Sequence, residues 1–104
     1  MHLISLKALK EAADKYPQHA DELMQLGNDI EKGSFLNPDQ LKALYPTLDN
    51  LKYLDKHYVI NIGRNELRVI ALIFFEGNKF YVRHVFTHKE YDKFIDKHRT
   101  KGKK

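Results

Sequence analysis

Apolar and polar positions alternate most regularly between His57 and Thr87, where three β-rich runs are separated by two turn signals. The middle run, Leu67 to Phe75, is dominated by β-branched and aromatic residues. It is bracketed by Gly63-Arg64-Asn65-Glu66 and Glu76-Gly77-Asn78-Lys79. Gly77 and Asn78 as the centre of a two-residue type II′ hairpin set Phe75 opposite Phe80, Leu72 opposite Arg83 and Arg68 opposite Thr87. Arg64 and Asn65 as the centre of the first turn set Leu72 opposite His57 and Arg68 opposite Asn61.

Directly opposed residues share a face, so these registers sort the meander into two. One face carries Tyr58, Ile60, Ile62, Leu67, Val69, Ala71, Ile73, Phe75, Phe80, Val82 and Phe86, with His84 as its only polar member. It demands a cover of helices. The other carries His57, Asn61, Glu66, Arg68, Tyr81, Arg83 and Thr87 around a smaller apolar centre of Val59, Ile70, Leu72, Phe74 and Val85, and it reads as a half-open, basic surface.

Helical spacing dominates the chain before these strands. After a short edge strand at His2 to Ile4, Ser5 is expected to cap a helix with Leu6, Leu9, Ala13 and Tyr16 on one side. A second helix, from about Pro17 to Lys32, puts Ala20, Leu23, Met24, Gly27 and Ile30 in step and ends at Gly33. Asn37, Pro38 and Gln40 start a third, with Leu41 and Leu44 inward. Beyond the strands, Thr87 and Glu90 form a T-x-x-E capping box, and Phe86 and Tyr91 are placed as a hydrophobic staple. That last helix, His88 to about His98, is expected to project Tyr91, Phe94 and Ile95 at the sheet edge. The fold class is α+β: N-terminal helices on one face of a small antiparallel β-sheet, with a short C-terminal helix.

At 104 residues the chain is expected to form one domain, 1–104, with a basic tail over 93–104. The absence of cysteine excludes disulfides, thiolate metal sites and a cysteine nucleophile, and is compatible with a reducing cytosol. Lys7 and Lys10 interrupt the opening residues before an apolar run develops, so no signal peptide is expected; Val69 to Phe75 is too short to span a membrane. The net charge of +4 is uneven. Lys93, Lys97, Arg99, Lys101, Lys103 and Lys104 against Asp96 leave the tail at +5 and the rest at −1. Such an end suits a polyanion such as RNA, by counterion release; the plain alternative is a solvated, frayed terminus.

Two arginines inside apolar strands, Arg68 and Arg83, are costly unless something anionic meets them, whether a phosphate or the carboxylates of Glu66, Asp55 or Glu90. His88 occupies the first helical position and Tyr91 lies one turn on. Free amides and the positive end of the helix dipole gather there, which favours phosphate. With Thr87 opposite Arg68, the register brings an arginine, a histidine and a tyrosine to one anion-friendly spot. His84 on the apolar face reads as a buried imidazole. His2, His19 and His98 read as solvated side chains, and no helical histidine pair points to a metal.

The opening MHLISLKALKEAADKYPQHADEL, the strand GRNELRVIALIFFE, the segment YVRHVFTHKEYDKF and the end HRTKGKK resemble the HigB-type toxins of bacterial toxin–antitoxin modules, within the RelE-like superfamily. Arg64 departs from the pattern, standing where a second glycine is expected before Asn65. The resemblance implies a cytoplasmic mRNA interferase that cuts messenger RNA during translation on the ribosome, without metal or cofactor. It also implies neutralisation by a cognate helix-turn-helix antitoxin that represses the shared operon, and no membrane partner. Carried over, Arg68, His88 and Tyr91 are the catalytic candidates, with Arg83 supported mainly by its face. His57, Tyr81, Lys89, Arg99, Lys101, Lys103 and Lys104 are the expected RNA contacts. Two alternatives stand beside this reading: a gyrase-poisoning toxin on the same fold, and a non-catalytic basic RNA-binding domain.

Overall fold

The computed structural model describes residues 1–102, with side chains to Arg99. In chain order the elements are β1 (His2–Ile4), α1 (Leu6–Lys15), α2 (Ala20–Lys32), α3 (Pro38–Leu44), β2 (Asp49–Asn50), β3 (His57–Ile62), β4 (Leu67–Phe74), β5 (Lys79–Thr87) and α4 (His88–Gly102). The sheet runs β1-β5-β4-β3-β2. The three long strands form the expected antiparallel meander, and β1 joins the edge parallel to β5.

α1 and α2 cover one face. Leu9, Leu23, Leu26 and Ile30 are fully buried there against Ile60, Val69, Ile73 and Phe80. The helix faces are rotated slightly from the expected ones: Leu26 is inside while Leu6 and Met24 are exposed, and Leu44 of α3 is half exposed. Ser5 does not cap α1 with its side chain; it takes a left-handed conformation instead. The turn Pro17–His19 is 3-10 and not α-helical. Asn37 does cap α3, accepting a hydrogen bond from Gln40 N at 3.0 Å.

The first hairpin has the expected register, with His57 opposite Leu72 and Asn61 opposite Arg68. Arg64 and Asn65 both take positive φ, 55° and 74°, as a type I′ turn requires, without the second glycine. The second hairpin differs. Its loop is longer than two residues, Asn78 and not Gly77 supplies the positive φ, and Phe74 pairs with Lys79. A bulge follows: Ala71 pairs with Val82 but Ile70 pairs with His84, leaving Arg83 as the extra residue.

This bulge turns the end of β5 over. Arg68 lies opposite Phe86, not Thr87, and His84 with Phe86 points away from the α1/α2 core. A second apolar cluster forms on that side: Leu51, Val59 and Ile70, packed by Phe86 and by Tyr91, Phe94 and Ile95 of α4. α4 therefore lies over the second face and not at the sheet edge.

His19, expected on a surface, is 8% exposed. Its Nε2 lies 2.9 Å from Glu66 Oε2, and Gly63 N–H donates to Glu22 Oε2 at 3.0 Å, tying the β3–β4 turn to the start of α2. Gly63 has a φ of 63°, and a Cβ there would stand 2.3 Å from His19 Nδ1. Gly63→Ala is expected to lower unfolding stability by about 1–3 kcal/mol in urea titrations, combining backbone strain with displacement of the ring. Gly77→Ala, where the nearest atom to a Cβ is Phe74 Cβ at 3.6 Å, should change it by less than about 1 kcal/mol.

Candidate active site

The site grows from the junction of β5 and α4. Thr87 N–H donates to Glu90 Oε1 at 2.8 Å and Glu90 N–H donates to Thr87 Oγ1 at 3.2 Å, the reciprocal capping box expected from T-H-K-E. The backbone bond from Thr87 holds the Glu90 carboxyl below its ordinary pKa. With the helix start fixed, His88 and Tyr91 emerge one turn apart, His88 exposed and Tyr91 half-buried.

Arg68 joins them from β4. Its guanidinium donates through Nη1 to the Asn65 carbonyl and through Nη2 to His88 Nδ1 at 3.0 Å, while Cζ lies 5.6 Å from the centre of the Tyr91 ring. A guanidinium has no acceptor, so Nδ1 is the unprotonated nitrogen here and the ring proton sits on Nε2. Nε2 in turn lies 3.5 Å from Asp92 Oδ2. Burial, reinforced by Asp49 and Asp92 and opposed by Arg68, pushes the Tyr91 phenol above its ordinary pKa, so it stays a proton donor at neutral pH. The arrangement is a guanidinium flanked by an imidazole acceptor and a phenol donor.

The other expected residues spread outward from this centre. His57 and Tyr81 both lie opposite Leu72, in a row four residues along β4 from Arg68, or about 13 Å. His57 Nδ1 is 2.8 Å from the Asp55 carbonyl, and Tyr81 packs edge-on against Phe74. Arg83 is exposed as the extra residue of the bulge, with His84 and Phe86 beyond it along β5. Lys89 is exposed beside His88 and lines a cleft with Arg64. Arg99 is exposed and pairs with Asp96 at 3.7 Å. The side chains of Lys101, Lys103 and Lys104 lie outside the described residues.

Three participants escaped the sequence reading. Asp92 was findable from its i, i+4 spacing to His88. Asn65 and Asp49 act through the turn and the short strand β2, for which spacing gives no signal.

A family model for HigB toxin, described as the RelE-like toxic component of a toxin–antitoxin system, matches residues 19–94. The chain belongs to the HigB toxin family. The α+β fold agrees with that membership, which implies a cognate antitoxin as partner. The chain is 66% identical over 104 residues, all of both chains, to "mRNA interferase toxin HigB" of Escherichia coli (strain K12) and to "mRNA interferase HigB" of Shigella flexneri. A further relative, "mRNA interferase HigB" of Escherichia coli O6:H1 (strain CFT073), is 44% identical over 93 residues, covering 89% of this chain and 90% of its own. Among the described residues no helix is long and apolar enough to cross a membrane.

His84 is not in the core but stacks on Phe86, 4.8 Å between centroids, and meets Phe94 at 5.2 Å. Burial, then the charges of Arg83, His57 and His98, hold its pKa below 6.5. The folded protein thus prefers this imidazole neutral. Stability should be intact above pH 6.5 and fall as His84 is protonated below it, levelling once pH is under the folded pKa. Urea titrations from pH 7.5 to 5 should show a loss that is smaller in His84→Phe; equal losses in the two proteins would remove His84 as its cause.

Proposed function

We propose that this chain is a cytoplasmic single-domain endoribonuclease toxin that cleaves mRNA on the translating ribosome. Its helix-turn-helix antitoxin neutralises it and represses the shared operon. What supports the RNA-cleaving reading over gyrase poisoning or passive RNA binding is the 3.0 Å contact of Arg68 Nη2 with His88 Nδ1 beside the protonated Tyr91 phenol, together with relatives named as mRNA interferases.

Cleavage of RNA without a metal requires a base for the 2′-OH, stabilisation of the charge gathering on phosphorus, and an acid for the leaving 5′-oxygen. When the scissile phosphate arrives, Arg68 turns to its oxygens and frees His88 Nδ1. Nδ1 takes the 2′-OH proton as the 2′-oxygen attacks phosphorus, and Asp92 steadies the Nε2–H of the imidazolium that forms. Tyr91 gives its phenolic proton to the 5′-oxygen as the P–O bond breaks. The products are a 2′,3′-cyclic phosphate and a 5′-OH. Arg83, with His57, Tyr81 and Lys89, holds the strand on either side, and the cationic residues from Arg99 to Lys104 hold backbone or ribosomal RNA.

In a host without antitoxin, the wild type should arrest growth and leave new messenger ends bearing 5′-OH. Arg68→Ala, His88→Ala and Tyr91→Phe should each cut about 100-fold more slowly or worse, and Asp92→Asn should fall between these and wild type. Ends bearing 5′-phosphate, or full activity in the three variants, would refute the mechanism. Deleting residues 99–104 should flatten the salt dependence of RNA association; an unchanged slope would remove the tail from the interface.

A further inference from the structure

A second cleft opens on the Tyr91 side of the site, between the segment that follows β2 and the exposed flank of α4. We infer that it is a nucleobase subsite, taking the base of one nucleotide that flanks the scissile phosphate; this rests on the ribonuclease reading and adds to it the element that selects where RNA is cut. Tyr91 lines the cleft while its ring also contacts Arg68, so whatever enters lies next to the proposed phosphate position. Its volume, about 280 Å³, lies below the range of drug-sized ligand pockets and leaves room for one planar ring.

The chemistry of the walls fits such a ring. Leu51 and Ile95 give an apolar floor from the second cluster. Tyr53 stands at the rim, 41% exposed and among the few large apolar side chains left in solvent. An aromatic face held open beside a site for RNA is what base stacking uses. Asn50, exposed beside it, offers an amide with one donor edge and one acceptor edge, the pair that reads a base edge. Lys52 and Arg99, the latter paired with Asp96, are exposed cations on the rim, and the Asp49 carboxylate lines the cleft with its Oδ1 accepting the Asn50 N–H at 2.9 Å. The cleft on the opposite, His88 side is lined by Arg64 and Lys89 but also by the carboxylates of Glu66 and Asp92, and it holds no Phe, Tyr or Trp ring on which a base could stack. A base therefore finds its aromatic partner on the Tyr91 side of the first turn of α4.

The test uses the full chain, as wild type, Tyr53→Ala, Tyr53→Phe and Asn50→Ala, expressed without antitoxin, with 5′-OH ends mapped across the transcripts. Wild type should cut with a nucleotide preference at a fixed position beside the break. Tyr53→Ala should lower kcat/KM by about 5- to 150-fold, the range that loss of one stacked base produces. Tyr53→Phe, which keeps the ring, should retain wild-type rates. Asn50→Ala should blur the preference at that one position and lower cutting at the sites that wild type prefers. Unaltered sites and rates in both Tyr53→Ala and Asn50→Ala would overturn the subsite while leaving the ribonuclease reading intact. Unaltered cutting with weakened neutralisation by a co-expressed antitoxin would also overturn it, by making the cleft a protein interface. Absence of new ends in wild type would overturn the ribonuclease reading itself, and the subsite with it.

Discussion

One surplus residue in β5 governs the arrangement of this molecule. Without Arg83 as a bulge, the pairing that begins at Phe74 and Lys79 would continue unbroken, setting Val69 opposite His84 and Arg68 opposite Val85. An imidazole would then lie under α1 and α2, where nothing but aliphatic and aromatic groups awaits it, and burying it unpaired would cost more than about 1 kcal/mol. The bulge avoids this by turning His84 and Phe86 to the other side. There they form, with Phe94, the aromatic stack on which α4 rests. The position of α4 fixes that of His88 and Tyr91, and so the site is a consequence of how β5 resolves its polar pair.

Arg68 is the second half of the same construction. It is held from behind by the Asn65 carbonyl, and Asn65 belongs to the turn that His19 and Glu22 pin to α2. The arginine thus meets α4 from a backbone braced by the main core, and the capping box aims the helix start at it from the opposite direction. Electrostatics follow from this placement. The guanidinium makes Nδ1 of His88 the acceptor, Asp92 faces the other ring nitrogen, and burial keeps the Tyr91 phenol protonated. A base and an acid are therefore distinguished by their surroundings before any substrate binds.

Much of this was legible in the residue pattern because local rules and tertiary packing agree. The first hairpin register followed from alternation and a polar turn, and the capping box placed His88 and Tyr91 correctly. The second hairpin was misread because Gly77 is the stronger turn signal, although Asn78 takes the left-handed conformation. The bulge has only a faint mark in the sequence: consecutive polar residues, Arg83 and His84, interrupt the alternation. Two registers off at the hairpin and one back at the bulge still left Arg68 near the helix start, so the triplet survived an incorrect pairing. The burial of His19 had no local sign at all, since it arises from Gly63, remote in the chain, whose missing side chain leaves room for the ring. Likewise, α4 was expected at the edge because the apolar stripe of Phe94 and Ile95 shows that it packs, but not on which part of the sheet.

The central proposition is that Arg68 and His88 meet as donor and acceptor at the head of α4. Nitrogen NMR of the protein with ¹⁵N-labelled histidine rings measures it directly. The expected spectrum at neutral pH has His88 protonated at Nε2 and unprotonated at Nδ1, with the Nδ1 resonance shifting when Arg68 is replaced by alanine. An Nδ1-protonated His88 whose signals are the same in wild type and Arg68→Ala would contradict the account.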